Sequence, residues 1–221
     1  MSNESWLSIF VSLKLAACTT IILTIISLPL AYWLAGKSTW YKIFIESLLA
    51  LPLVLPPTVL GFYLLVLLSP TSFFGKILFS LTGSSVVFNF SGLLIGSVIY
   101  SLPFVVRPFQ TAFSAVPKEL LQVAATLNAG PLDRFFTVLL PCAKSGLITG
   151  MILGFTHTLG EFGVVLMLGG NIPGKTKTIS IAIYDHVEQL EYAQAHILSA
   201  GLLIFSFVVL YIVFLFNRRF I

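Results

Sequence analysis

Long stretches without a single charged residue set the strongest limit on how this chain can fold. Four of them contain no Asp, Glu, Lys or Arg: residues 15–36, 47–75, 77–106 and 192–217. A helix needs roughly 20 mostly apolar residues to cross the hydrocarbon core of a bilayer. The stretches do not alternate in polarity as the strands of a membrane barrel do. They therefore predict an all-α transmembrane protein.

Composition agrees, because only 9% of the residues are charged, whereas a soluble domain carries about a quarter. A fifth apolar stretch, at about 145–168, is interrupted only by Glu161. We expect one transmembrane domain over residues 1–221. Its five predicted helices cover about residues 7–36, 44–69, 88–107, 145–168 and 195–217. Ser, Thr, Gly and Pro predict a loop at 70–87, and this stretch leaves the number of spans at five or six.

The distribution of cationic residues predicts which side of the membrane each loop faces. Cytoplasmic segments of membrane proteins are enriched in Lys and Arg. With the C-terminus inside, the cytoplasmic segments hold Lys37, Lys42, Arg107, Lys118, Arg134, Lys144, Arg218 and Arg219, and the outer segments hold Lys76, Lys175 and Lys177, with Lys14 near the outer end of the first helix. The N-terminus is therefore expected outside, with the loop 108–144 in the cytoplasm and the loop 169–194 outside. The net charge of +4 reflects these cytoplasmic cations and not a nucleic-acid partner.

Prolines mark the second span, at Pro52, Pro56 and Pro57. Proline removes a backbone donor and kinks a helix, and a membrane tolerates this only where neighbouring helices or a cavity satisfy the freed carbonyls. Two interpretations stay open. The span is either a kinked packing helix or a bend that lines a pathway.

The cytoplasmic loop carries the pattern of two short helices. Pro117 suits the first position of a helix, and Leu120, Leu121, Ala124 and Leu127 follow at helical spacing as an apolar stripe. Asn128 and Gly130 tolerate the left-handed conformation that ends helices, and Pro131 can open a second helix, which is expected to end at Pro141. Lys118 is nearly alone on the polar face, whereas a helix lying on the membrane surface is rich in Lys and Arg. The loop is therefore expected to present an ordered knob to a soluble partner.

The stretch from Gln122 to Pro141 resembles the "EAA" loop of bacterial ABC-importer permeases, which couples the membrane subunit to its ATPase. That loop has Glu-Ala-Ala, three residues, Gly, nine residues, Ile, one residue and Leu-Pro. The matching positions are Gln122, Val123 and Ala124, then Asn128, Val138, Leu140 and Pro141, with Ala125, Ala129 and Gly130 between them. Gln, Val and Asn replace Glu, Ala and Gly, but the spacing is intact.

Three further segments look like the molybdate permeases of this family: residues 51–64, 159–163 and 171–179. The second, Leu-Gly-Glu-Phe-Gly, is also similar to sulfate permeases. The resemblance implies an ABC-importer permease fold in a bacterial inner membrane and a homodimer with two cytoplasmic ATPase subunits. It also implies an external oxyanion-binding protein that delivers molybdate, with its analogue tungstate as an alternative cargo, for import. The chain itself would have no catalytic residues and no cofactor, with ATP and Mg bound by the ATPases. A sulfate or thiosulfate permease is the alternative within the family.

The segment from Gly169 to Thr176 matches the pattern of a nucleotide-binding P-loop. A membrane enzyme with its own nucleotide site there is the alternative from another class, and a non-transporting scaffold is a third. The segment follows a membrane helix and is expected outside, where ATP is absent. A loop that contacts the binding protein, through Asn171, Lys175 and Lys177, fits better, since the two lysines can steer an anionic partner.

Glu161 is the one acidic residue well inside a predicted span. A charge at mid-bilayer costs roughly 2.5–3.5 kcal/mol on insertion scales, so its side chain is expected to face protein or water. We interpret Pro56, Pro57, His157, Glu161 and Phe162 as candidates for a gate or path. His157 lies one turn before Glu161, and either pairs with it or is a hydrogen-bonded core histidine.

The remaining polar and sulfur-containing residues predict no further site. No cluster has metal-ligand spacing, and Cys18 and Cys142 are expected to be small buried apolar residues. No basic residue other than Lys14 lies deep in a predicted span, which argues against a tight anion site within the membrane.

Overall fold

A computed structural model describes residues 3–218 of the chain, and Arg219, which we used above to predict orientation, lies outside them. No strand is present in this part of the chain. The helices are α1 (Asn3–Leu34), α2 (Trp40–Val54), α3 (Pro57–Leu68), α4 (Phe73–Thr82), α5 (Phe90–Ser114), α6 (Lys118–Thr126), α7 (Pro131–Arg134), α8 (Leu140–Gly160), α9 (Gly163–Gly169), α10 (Ile179–Glu188) and α11 (Tyr192–Arg218). A π-helical segment, Phe135–Leu139, joins α7 to α8 without interruption.

The prediction of about five membrane-spanning helices agrees with the structure. Among the described residues, four helices are long and apolar enough to span a bilayer, and α2 with α3 makes a fifth if this bent pair counts as one span. Two predicted boundaries are wrong. The third predicted span continues past Arg107 to Ser114, and the fourth begins at Pro131 and breaks after Gly160.

The second span is broken rather than kinked, since α2 and α3 meet at an angle of 113°. A residue before a proline is pushed away from helical backbone angles toward extended ones. Leu55 and Pro56 each precede a proline, and both are extended, with ψ angles of 139° and 136°. Two consecutive restricted residues are enough to end one helix and start another.

The prediction of a loop over 70–87 is wrong in its middle, where α4 forms. The Ser72 side chain accepts a hydrogen bond from the Gly75 backbone N–H at 2.8 Å, which is a standard N-terminal cap. Gly83 ends the helix in the left-handed conformation, at φ 68°. The apolar residues between these two caps are sufficient for a short helix.

The centre of the molecule is the packing of α1, α5 and α8. Three glycines of α8 at four-residue spacing, Gly146, Gly150 and Gly154, face α5. A Cβ atom on Gly150 would lie 2.8 Å from the ring of Phe109, so only glycine permits this approach. Small residues at this spacing bring membrane helices into close contact. The stripe fixes α5 and α8 side by side.

Candidate functional site

Glu161 lies at the break between α8 and α9, and its side chain stabilises the start of α9. Its carboxylate is buried and accepts hydrogen bonds from the backbone N–H groups of Val164 (2.7 Å) and Val165 (3.0 Å). These two amides lie in the first turn of α9, where a helix has no internal acceptors for them. The expectation that Glu161 faces protein is confirmed. Its role in this geometry is to cap a helix that begins inside the membrane domain.

The two helix breaks contact each other. Gly163, at the start of α9, packs against Pro57, at the start of α3, so closely that a Cβ on the glycine would lie 2.6 Å from the Pro57 Cβ. One turn further along α3, Gly61 packs equally closely on α9, since a Cβ on Gly61 would lie 2.8 Å from the Cβ of Met167. The segments α3 and α9 therefore form a tightly packed pair of half-helices.

A cavity of about 520 Å³ opens beside this contact. Its polar lining includes Thr58, Tyr100, Thr156, His157 and Glu161, with Phe162 at its edge. Pro56, the fifth candidate for the gate, is exposed at the break itself. The structure therefore brings the predicted gate candidates together at one place.

His157 is a hydrogen-bonded core histidine and does not pair with Glu161. Its Nδ1 lies 2.9 Å from the Ser101 hydroxyl, and its ring stacks on Phe104 with centroids 3.8 Å apart. Within residues 3–218, both carboxylate oxygens of Glu161 bond to backbone amides instead. Spacing along α8 placed the two residues one turn apart but could not reveal that Ser101 of α5 lies closer.

A second cavity, of about 560 Å³, lies further along α5 and α8 and is lined by Arg107, Thr111, Cys142, Ser145 and Thr149 among others. We call it the cytoplasmic groove, because it lies toward the side that the distribution of cations predicts to be cytoplasmic. One expectation is wrong here, because Cys142 is exposed and not buried. Arg107 lies within α5, seven residues before its end, which is about 10 Å along the axis.

The segment 169–176 does not have the geometry of a nucleotide site. The backbone N–H groups of Lys175, Thr176 and Lys177 all point at one carbonyl oxygen, that of Ile172, at 3.0–3.1 Å. The Thr176 hydroxyl donates to the Gly169 carbonyl at 2.7 Å. In a P-loop these amides and this hydroxyl are directed at phosphate and magnesium. Here they are used to fold the loop on itself.

The three residues predicted to contact a binding protein differ in their surroundings. Lys175 is exposed. Lys177 is largely buried, and its Nζ lies 2.6 Å from an Asp185 carboxylate oxygen, so it is not free to steer a partner. The Asn171 amide donates to both oxygens of the same carboxylate, at 2.8 and 2.7 Å. Asn171 and Lys177 thus tie the loop between α9 and α10 to α10 itself.

The knob that the sequence predicts to be cytoplasmic consists of α6, the turn 127–130 and α7. Helix α6 has no buried residue, and one of its faces carries the exposed side chains of Leu120, Val123 and Leu127. Leu132 and Phe136, after the turn, are also exposed. The predicted apolar stripe is therefore divided, because Leu121 packs toward the core while its neighbours point away. Four exposed large apolar residues on the knob, with Phe136 directly after it, are typical of a protein interface.

The residues that match the EAA pattern all lie on or next to this knob. Asn128 ends α6 in the left-handed conformation, at φ 61°, as predicted. Gly130 does not, since its φ is −68° and it precedes α7. The second helix does not end at Pro141, because the π-helical turn before it provides the i→i+5 bond from Leu140 to Phe135. The wider π-helical turn accommodates the proline without ending the helix, and the chain continues as α8.

Comparison with known proteins places the chain in a family. A family described as "Binding-protein-dependent transport system inner membrane component" matches residues 27–221. The molybdenum transport system permease protein ModB of Azotobacter vinelandii is 52% identical over 220 residues, covering all of this chain and 97% of that protein. ModB of Escherichia coli K12 is 35% identical, covering 85% and 82%. A probable sulfate transport permease of Marchantia polymorpha is 33% identical, covering 90% and 68%.

The fold agrees with these relatives. A solved structure of the MetNI methionine ABC transporter in inward-facing conformations aligns with a TM-score of 0.73, covering 99% of both chains at 16% identity. The knob, the broken helices and the full-length similarity therefore point the same way. The chain belongs to the family of binding-protein-dependent transport system inner membrane components and is a permease of the ModB type.

Proposed function

We propose that this chain is the transmembrane subunit of an ATP-driven importer that carries molybdate into the cell. The observation that carries this proposal is the 52% identity to a molybdenum transport permease over the whole chain. The expected absence of catalytic residues fits a subunit that supplies the path, while separate ATPase subunits bind ATP and Mg and supply the energy.

The knob is the proposed docking site for the ATPase subunits. It places large apolar side chains, among them Leu127 and Leu132, in water unless a partner covers them. Each side chain of this size gains roughly 1.5–3 kcal/mol when it is fully buried. Because α7 leads into α8 through the π-helical segment without a break, a displacement of the knob is transmitted to α8, which ends next to Glu161.

Two further partners complete the proposed assembly in the bacterial inner membrane. A second copy of the chain would close the path, since one copy leaves polar cavities open along α5 and α8. An external oxyanion-binding protein would dock on the outer surface near the exposed Lys175. Selectivity would rest mainly with that protein.

Uptake by the complete system tests the proposed cargo. Vesicles that contain the permease, its ATPases and the matched binding protein are expected to accumulate labelled molybdate only when ATP is present on the ATPase side. Unlabelled molybdate should compete for this uptake, whereas sulfate in large excess should not. Strong competition by sulfate would assign the chain to the sulfate permeases, as the shared Leu159–Gly163 element and the Marchantia relative would then indicate.

The proposed orientation, N-terminus outside and knob inside, predicts how Cys142 reacts. It is exposed next to the knob, so a thiol reagent that cannot cross membranes should leave it unlabelled in intact cells and should label it in inverted vesicles. Cys18 is first replaced by Ala, so that Cys142 is the one thiol in the chain.

A matched control uses the opposite surface. Lys175→Cys, in the same background with Cys142 also replaced by Ala, places a thiol on the exposed outer loop and should react in intact cells whose outer membrane is permeabilised. The reverse pattern, with Cys142 labelled in intact cells and the residue-175 thiol protected, would place the knob outside. The proposed contact with cytoplasmic ATPases would then be impossible.

A further inference from the structure

Two cavities lie on the same face of the helix pair α5 and α8. Tyr100 lines the first cavity and Arg107 the second, seven residues further along α5. On α8, Thr156 lines the first cavity and Thr149, seven residues earlier in the sequence, lines the second. Seven residues are almost two full turns, so residues at this spacing share one face and lie about 10 Å apart. A line of polar groups therefore runs from the broken helices toward the knob.

The composition of this line is unlike that of a surface facing lipid. Lipid-facing positions carry large apolar side chains, as on the outside of α11, where Leu203 and Phe207 are exposed. The cytoplasmic groove presents a guanidinium and the hydroxyl-bearing residues Thr111, Ser145 and Thr149. Polar residues within membrane spans face a protein interior or a water-filled cavity.

Arg107 is positioned but not fully occupied. Its Nη1 lies 3.7 Å from a carboxylate oxygen of Glu46 and 3.5 Å from the side-chain oxygen of Gln110. Strong charge-assisted hydrogen bonds are shorter, about 2.7–2.9 Å. Gln110 in turn donates to Glu46 at 2.6 Å. The guanidinium carries five N–H donors. Within residues 3–218, the only hydrogen bond that they make is the weak one to Gln110.

We propose that the cytoplasmic groove is a binding station for the translocated anion, a tetrahedral dianionic oxyanion, on its way out of the membrane. This assignment rests on the proposed function. The planar fork of Arg107 suits two oxygens of such an anion, and the hydroxyls of Thr111 and Ser145, which line the same groove, can donate to the others. Glu46 competes with the anion for Arg107. A site in a transport path must bind its ion weakly enough to release it, and the carboxylate supplies that weakening.

The test measures molybdate binding to the assembled complex of permease and ATPases, without binding protein or ATP, in discs of zwitterionic lipid. Equilibrium dialysis with metal analysis gives the Kd. Arg107→Gln is expected to raise it by about tenfold to a hundredfold, the loss typical of a hydrogen bond to a charged group, and Arg107→Lys by less. The ATPase subunits are the same in every sample, so any molybdate that they bind cancels.

Two further variants separate binding from structural damage. Thr111→Val keeps the shape of an exposed side chain and should weaken binding a few-fold. Glu46→Gln removes the competing carboxylate and should tighten binding, a change of opposite sign that damage to the fold would not produce. If Arg107→Gln fails to assemble with its ATPases, these two variants decide the matter.

The outcomes distinguish the station from the function on which it rests. Equal affinity for molybdate in wild type, Thr111→Val and Glu46→Gln, with normal uptake by the wild type, would overturn the station alone. Absence of molybdate uptake by the wild type with its binding protein would overturn the proposed function. If the groove takes anionic lipid headgroups, added phosphatidylglycerol binds in an Arg107-dependent way while molybdate does not. That result would also overturn the station.

Discussion

Replacing Leu127 and Leu132 together by Asp is expected to release the ATPase subunits and abolish transport. The two side chains are 77% and 75% exposed in the isolated chain, on either side of the turn that ends α6. Burying each contributes roughly 1.5–3 kcal/mol, so losing both weakens docking by about a hundredfold to ten-thousandfold. Two new carboxylates in an apolar interface weaken it further. Purification in mild detergent, followed by quantification of the co-purified ATPase, measures the effect.

Leu190→Asp is the matched control. Leu190 is 71% exposed and lies after α10, on the surface that we assign to the outside. It has φ 60°, a conformation that Asp tolerates. This variant makes the same chemical change on the opposite side and should retain its ATPase in full. If the double variant co-purified as much ATPase as this control does, the exposed face of α6 and α7 would not be the docking surface.

The sequence predicted the existence of this knob but not which of its faces points outward. Helical spacing puts Leu120, Leu121, Ala124 and Leu127 in one stripe. In the structure, Leu121 and Ala124 are half-buried, whereas Leu120 and Leu127 are exposed. The direction depends on how the turn at Asn128 sets α6 against the π-helical segment, which is a tertiary contact.

Charged residues predict the helix ends less well than the backbone restrictions before proline do. The two X-Pro restrictions at Leu55 and Pro56 are local, so the position of that break follows from sequence, although its angle does not. The charge of Arg107 predicts the end of a span there, but α5 continues for seven more residues. The guanidinium lies near Glu46 of α2 and Gln110, which are contacts that the local sequence does not reveal. Likewise, the burial of Lys177 depends on Asp185, eight residues away in sequence.

Some signals for the site were present in the sequence and were missed. Gly146, Gly150 and Gly154 recur at four-residue spacing, which is a known pattern for close helix packing in membranes. It identifies the face of α8 that contacts α5. Thr149 and Thr156 lie beside that face and line the two cavities.

Gly163→Ala is expected to damage both stability and transport, although it adds only one methyl group. The new Cβ would lie 2.6 Å from the Pro57 Cβ and 3.4 Å from the Pro57 carbonyl carbon. Neither the proline ring nor the backbone can swing aside, so α3 and α9 must separate. Overpacking of this kind costs typically 1–3 kcal/mol, which corresponds to a lowering of Tm by about 2–12 °C in a chain of this size.

Gly160→Ala provides a control three residues away, because a Cβ there meets no atom within 4 Å. Both variants change the same residue type next to the same helix break, and only one is crowded. Thermal unfolding in detergent and uptake in vesicles should show a large loss for Gly163→Ala and little change for Gly160→Ala. The loss of uptake should exceed what the lower stability explains, because separating α3 from α9 also moves the amides of Val164 and Val165 that Glu161 holds. Equal behaviour of the two variants would mean that contact between the two broken helices is not needed for transport.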